Sequence, residues 1–291
     1  MTRPTGDEVE ITSRDRVVFP EDAFTKGDLA DYFRAIAPAM LPFLAGRPVS
    51  LVRCPQGIAQ HCFFQKHHTG SFGPHVLSET IAEKEGDVEP YLYLENAEGI
   101  LECVQMGTVE FHLWASHAED VEKPDRMVFD LDPAEGLGFA EVAATAAEIR
   151  ARLERLGLAS FAMLTGGKGV HVVVPLTPGA TWDEHRGFAE GFARALAEEQ
   201  PDRFTATMSK EKRKGKIFID WLRNTRGSTA IAPYSPRARK GAPVAAPVSW
   251  EELAGMKEAK RYGLADAAKL LERAEDKALK GWGTAKQGLP R

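Results

Sequence analysis

Arg126-Met127-Val128-Phe129-Asp130-Leu131-Asp132-Pro133 is the stretch on which the fold turns. It reads as an apolar strand, and Pro133, which brings no N–H to a ladder, ends it. Side chains at i and i+2 of a strand share a face, with Cα atoms roughly 6.5–7 Å apart, so Asp130 and Asp132 point the same way. Two carboxylates held side by side repel each other unless something positive neutralises them. A pair of hard cations such as Mg²⁺ or Mn²⁺, about 3.5–4 Å apart, does so in phosphoryl-transfer sites. The plainer alternative is a pair of exposed strand-end acids that cap the next helix.

Outward from that strand the pattern alternates irregularly. Phe139–Leu156 is Ala-rich and amphipathic, with Gly157 as a natural stop. A strand (SFAMLT), a glycine-rich turn (GGKG) and a second strand (VHVVVPL) follow, and strands so close can pair as a hairpin. Thr181 with Glu184 three residues later opens a helix over Trp182–Glu199. KIFIDWL is another strand, and WEELAGM begins a C-terminal helical segment. Upstream, residues 26–45 carry helical spacing that Pro38 and Pro42 should limit, and a short strand is expected around Val49–Val52. The acidic residues 84–99 read as a loop or hairpin beside YLYL, VEFHLWAS reads as a strand, and the tail after Lys280 reads as loosely ordered. The expected class is α+β, with mixed or antiparallel sheets flanked by helices. One catalytic domain of two lobes, about 1–119 and about 120–291, suits 291 residues.

Composition is that of an ordinary globular chain, 43% apolar and 27% charged. MTRPTGDEVE does not resemble a signal peptide, and no run approaches the roughly 18 apolar residues of a membrane span. Cys54, Cys62 and Cys103 form an odd, scattered set, so a reducing cytoplasm is expected. With His61, His67 and His68 nearby they match no paired zinc spacing. The net charge of −5 hides an asymmetry: Arg203–Val248 holds eleven Lys and Arg against Glu211 and Asp220, a local +9, so the rest sums to −14. Such a concentrated positive field suits a phosphate-binding surface.

Asp220 ends the apolar strand Ile217–Ile219, an awkward place for an acid unless something binds it. A third carboxylate on a neighbouring strand would complete a two-cation site, although an acid receiving N–H groups from a following turn is the alternative. In Thr165-Gly166-Gly167-Lys168-Gly169-Val170-His171, glycines let backbone N–H groups approach an anion, and Lys168 and His171 add donors. The turn lacks the Walker spacing and is by itself also a plain hairpin turn. Arg237 and Arg239, on one face if that segment is extended, suit a triphosphate. Phe63 and Phe64, in the basic run QHCFFQKHH, can stack on bases, although core burial of at least one is the commoner fate.

Taken in order, RVVFP, TKGDLADYF, CFFQKH, VEFHLWAS, VFDLDP, LTGGKGVHVVVPL, FIDWLRN and APYSPRARKGAPVAAPVSWEEL resemble the polymerase domain of bacterial DNA ligase D, of the archaeo-eukaryotic primase superfamily. The likeness runs from about Ser13 to Leu253 and implies a primase-polymerase fold. It implies that Asp130, Asp132 and Asp220 hold two divalent ions, manganese or magnesium. It also implies that the Thr165–His171 turn (Thr165, Gly166, Lys168, His171) and Arg237 grip an incoming NTP or dNTP, with His112 near the sugar. Arg239 and Asn224 are placed with these nucleotide contacts. Ser13, Arg16 and Lys26 would read a downstream 5′-phosphate, Phe63 and Phe64 would meet the template, Lys66 would contact DNA, and Arg213 would meet DNA ends. Thr165 stands where relatives usually have Ser, keeping the hydroxyl; Ser13 and Arg16 replace their usual Asn and Lys. Ligase and nuclease modules are absent from the sequence, which is expected to be an excised domain or a standalone relative.

The implied chemistry is in-line attack of a primer 3′-hydroxyl on a nucleotide α-phosphate, adding one or a few ribo- or deoxyribonucleotides at DNA gaps or ends. A bacterial-type cytoplasmic monomer on nucleoid DNA is expected, beside a Ku-like end-binder and a DNA ligase. Two alternatives are a DxD phosphohydrolase, against which Pro133-Ala134-Glu135 lacks the Thr such enzymes carry after the second Asp, and a catalytically silent DNA-end binder, against which all three acids stand.

Overall fold

The structure, a computed structural model, describes residues 9–83, 86–259 and 261–290. Most of the polar N-terminal stretch and part of the acidic 84–99 segment (Lys84, Glu85) lie outside the described residues. A short hairpin, β1 (Val17–Phe19) with β2 (Phe24–Thr25), leads into helix α1 (Lys26–Leu44). Next come β3 (Val49–Arg53), β4 (Phe63–Gln65), the hairpin of β5 (Val76–Ala82) and β6 (Val88–Leu94), α2 (Ala97–Gln105) and β7 (Thr108–Leu113). The second half runs β8 (Arg126–Pro133), α3 (Phe139–Arg155), β9 (Phe161–Leu164), β10 (Val170–Pro175), α4 (Trp182–Glu199), β11 (Phe204–Thr205) and β12 (Ile217–Asp220). It closes with β13 (Ala230–Ile231), β14 (Ala246–Val248), α5 (Trp250–Gly255) and α6 (Ala267–Ala274).

Six strands form the principal sheet in the order β11-β12-β8-β10-β9-β14, and four form a second, β13-β7-β3-β4. Only the β11–β12 pair of the principal sheet is parallel, so that sheet is mixed and the α+β class holds. β8 lies inside it, which is why Met127, Phe129 and Leu131 are fully buried. α3 and α4 cover one face, where Phe129 packs on Phe192 of α4 at 5.0 Å between ring centroids. The expected capping box of α4 is present, with Thr181 accepting from the Glu184 N–H.

Three expectations fail for physical reasons. α1 continues through Pro38 and Pro42 to Leu44. Both prolines lie on the solvent face one turn apart, where carbonyls left without a helical partner can bond water. The opposite face buries Leu29, Phe33, Ile36, Met40 and Leu44 completely or nearly so, and that burial outweighs the two lost hydrogen bonds. The tail beyond Lys280 is docked: the Trp282 indole donates to the Ala162 carbonyl at 2.9 Å and meets Phe43 edge-on at 5.3 Å. Gln287 bonds Ala159 and Pro175 through its side chain. The cysteines are not a scattered set either. β3 and β4 pair with Arg53 opposite Phe63, so Cys54 and Cys62 are the next opposed positions, and they form a disulfide with Cα atoms 4.4 Å apart. Cys103 remains a buried free thiol.

Candidate nucleotidyl-transfer site

Register places the three acids together. On β8, Asp130 is paired with His171 of β10 on one side and Asp220 of β12 on the other, and Asp132 stands opposite Phe218. Asp130 and Asp220 are buried, whereas Asp132 opens to solvent at the mouth of a cleft of about 180 Å³. Arg223 lies between the acids, 3.2 Å from Asp130 and 3.4 Å from Asp220. His171 Nε2 is 3.4 Å from Asp130, and its Nδ1 is buried without a partner. Burial disfavours the charge on Asp130, but His171 and Arg223 outweigh it and hold that carboxyl below the usual range. Burial and the facing charges push Asp132 up, and burial does the same to Asp220 against the pull of Arg223.

Among the described residues no three His, Cys, Asp or Glu side chains close into a finished metal cage, and the Arg223 guanidinium lies against Asp130 and Asp220. The donor set still suits hard divalent cations. Three carboxylates face one guanidinium, all donors are oxygen, and burial together with the neighbouring Asp130 and Asp220 charges raises Asp132.

The opposite wall is basic. The hairpin turn between β9 and β10 is closed by Thr165, whose hydroxyl donates to the Gly169 carbonyl and accepts from the Gly167 N–H. Gly166 has φ +67°, and a Cβ on Gly169 would stand 2.5 Å from the Leu131 carbonyl, so the turn lies against the strand that carries the acids. Lys168 is exposed at the tip, and Arg237 and Arg239 line the cleft with it. The arginine segment is not extended. Tyr234 has φ +65° and the Arg239 N–H bonds the Arg237 carbonyl, a bend that still delivers both side chains.

Two residues that organise the cleft escaped the sequence reading. Glu110, 5% exposed, accepts from His112 Nε2 at 2.8 Å, Arg237 Nε at 3.0 Å and the Ala238 N–H at 2.7 Å. Burial alone would raise it, yet these donors hold it below the usual range. Burial pushes His112 down, against the pull of Glu110. The available signal was period two, since Glu110 and His112 share a strand face. Arg223, three residues after Asp220, is the second.

Asn224 does not line the cleft. It is fully buried, its Oδ1 accepts from the Val128 N–H at 2.7 Å, and its Nδ2 donates to the Val128 carbonyl at 2.8 Å and the Trp221 carbonyl at 2.9 Å. Its amide continues the ladder where β12 stops, so the expected nucleotide contact is replaced by a grip on β8.

The expected DNA-contacting residues fall into two sets. The β1–β2 hairpin brings Arg16 and Lys26 together, the Lys26 N–H bonding the Arg16 carbonyl at 2.8 Å, with Ser13 at φ +53° accepting from the Arg16 N–H. Lys26 is 2% exposed and spends two donors on Thr12 and Gln105, while Arg16 Nε is buried without a partner. Burial and Arg16 lower Lys26 to about 8. Phe64 is 70% exposed and meets His112 edge-on at 5.7 Å, at the cleft. Phe63, Lys66 and Arg213 are engaged within the protein. Phe63 stacks on His61 and under Arg53, Lys66 bonds Glu83 and Tyr91, and Arg213 lies 3.6 Å over the Phe218 ring.

Paired antiparallel strands carrying three acids, faced by a glycine turn and two arginines, define a primase-polymerase nucleotidyltransferase domain. The chain belongs to the family described as LigD, primase-polymerase domain, whose model matches residues 25–278. The multifunctional non-homologous end joining protein LigD of Pseudomonas aeruginosa is 40% identical over 256 residues, 88% of this chain and 30% of that protein. The bifunctional LigD of Bacillus subtilis is 29% identical over 253 residues, 87% of this chain and 40% of that protein. The chain thus spans well under half the length of these relatives. The polymerase domain of Mycobacterium tuberculosis ligase D, solved in complex with DNA, matches with a TM-score of 0.85 and 31% identity, over 94% of this chain and 97% of that one.

Proposed function

We propose that this chain is a DNA-repair polymerase that adds one or a few ribo- or deoxyribonucleotides to a primer 3′-hydroxyl at gaps or double-strand ends. The observation that carries the reading is that Asp130 and Asp132 line one cleft with Thr165, Lys168, Arg237 and Arg239, while Asp220 is paired directly beside Asp130. The three carboxylates would hold two divalent ions, manganese or magnesium, which when bound supply Lewis-acid activation of the hydroxyl and charge neutralisation at the leaving pyrophosphate. The turn N–H groups, Lys168 and the two arginines would take the triphosphate oxygens, with Arg237 already held by Glu110 and the Thr165 carbonyl. Glu110 fixes His112 and Arg237 relative to each other, so sugar and phosphates are located by one rigid unit.

DNA would enter past Phe64, with a downstream 5′-phosphate near Arg16 and Lys26, the two cations that the β1–β2 hairpin brings together. The protein would act as a monomer beside a Ku-like end-binder and a DNA ligase. No helix among the described residues is long and apolar enough to cross a membrane. Extension of a gapped duplex with each nucleotide type, with manganese or magnesium and with or without the 5′-phosphate, tests the reading. Product growth by one or a few nucleotides supports it. Hydrolysis of a generic aryl phosphate with no extension would favour a phosphohydrolase instead.

A further inference from the structure

β4 is a three-residue edge strand whose one ladder partner among the described residues is β3. It carries Phe64, the most exposed large apolar side chain among those residues, at the cleft beside His112. Three cross-strand pairs are a weak hold for a strand that must present an aromatic ring in a fixed place. Arg53 reinforces two of its positions, by a cation–π contact to Phe63 and a hydrogen bond to Gln65. A further anchor is covalent: the Cys54–Cys62 disulfide joins the residue just after β3 to the residue just before β4.

The two sulfurs are not equivalent. Cys54 is 2% exposed, with its N–H bonded to the Gly107 carbonyl. Cys62 is only partly buried and sits at the end of the turn that closes the pair, beside the exposed His61. A reagent from solution therefore meets Cys62 first, with Cys54 already opposed to it as the resolving partner. This is the arrangement of a reversible thiol pair.

We infer that Cys54 and Cys62 form a redox modification site that locks or releases the Phe64 platform, closed by peroxide-class oxidants and opened by small-molecule thiols. The inference rests on Phe64 being a base-stacking residue. In closing, the Cys62 thiolate attacks a peroxide oxygen, the O–O bond breaks, and a sulfenic acid forms as hydroxide leaves and takes up a proton. The Cys54 thiol then attacks the Cys62 sulfur, the S–S bond forms, and the sulfenic oxygen leaves as water with the thiol proton. Two thiols are oxidised and one hydrogen peroxide is reduced to two waters. In opening, an external dithiol attacks Cys62, Cys54 leaves as a thiol, and the mixed disulfide resolves to oxidised reagent and free Cys62.

The test uses the whole chain, treated with hydrogen peroxide or dithiothreitol and then freed of reagent. Thiols are counted by maleimide mass shift after denaturation, and binding to a gapped duplex with 2-aminopurine opposite the gap is followed by anisotropy and fluorescence. The oxidised protein should show one of its three cysteines free, bind roughly fivefold tighter, the low end of one base–aromatic contact, and quench 2-aminopurine more strongly. Cys62→Ser should keep the reduced affinity under both treatments, and Phe64→Ala should erase the difference. Three titratable thiols after peroxide, or equal affinity of the two wild-type forms, would overturn the switch. If Phe64→Ala binds like wild type in both states, the stacking role itself fails and the switch with it. If Phe64→Ala weakens binding while redox state has no effect, only the switch fails.

Discussion

Replacing Asn224 with alanine separates a residue that builds the site from one that touches the nucleotide. The substitution removes an acceptor from the Val128 N–H and a donor from the Val128 and Trp221 carbonyls, in a place with no solvent exposure. A buried polar group left without a partner costs about 1–3 kcal/mol, so three of them, with some relaxation, cost about 3–5 kcal/mol. That is a large part of the roughly 5–15 kcal/mol that holds a domain folded. Val128 lies two residues before Asp130, and the turn that carries Asn224 begins just after Asp220, so loosening this grip also lets the two acids drift apart. Urea denaturation should show a lower midpoint with an unchanged slope, and steady-state gap filling should show a fallen kcat with nucleotide KM little changed. Asn224→Asp keeps the acceptor but sets a buried carboxyl against the Val128 and Trp221 carbonyls, so it should be no more stable than Asn224→Ala. An unchanged urea midpoint together with a raised nucleotide KM would refute the structural role and restore the nucleotide contact.

Among the basic residues of the 203–240 segment, Lys210, Lys212 and Lys214 are exposed, whereas Arg213 is committed to Phe218. Replacing the three lysines with alanine should flatten the slope of log affinity against log salt by about 2–3, and Arg213→Ala should instead lower the urea midpoint. The preference for a 5′-phosphorylated gap should weaken with rising pH. Below about 8 Lys26 is charged and contributes, and above it the neutral amine does not, while the terminal phosphate stays fully charged, so the affinity ratio should fall across and above pH 8. Lys26→Ala should flatten that profile, measured by anisotropy at constant ionic strength. Trp282→Ala should cost about 3–5 kcal/mol in a urea titration, because its ring fills the space between Phe43 and Phe161.

The sequence carries its local rules openly. Thr181 with Glu184 marks the start of α4, Gly157 the stop of α3, and the alternation around Asp130 and Asp132 the strand that holds the acids. Long-range consequences are less visible. Nine residues opened by Asn96 are too short for a periodic signal, so α2 goes unread. The disulfide depends on the β3–β4 register, which no spacing rule supplies. Asn224, Lys66 and Arg213 look like free polar groups until Val128, Glu83 and Phe218 fold against them. Glu110 is the reverse case, an acid in an apolar strand whose role appears only once Arg237 folds over it.

Single-nucleotide addition to a 5′-phosphorylated one-nucleotide gap, run on wild type and Asp132→Ala with manganese and with a chelator, bears most directly on the three-acid site. Asp132 sits at the cleft mouth, so its removal should leave the fold and DNA affinity intact. Wild type with manganese should extend the primer by one nucleotide, and neither the chelated protein nor Asp132→Ala should yield product while both still bind the duplex. Extension by Asp132→Ala at the wild-type rate, or by wild type in the presence of chelator, would contradict the assignment of metal-dependent nucleotidyl transfer to Asp130, Asp132 and Asp220.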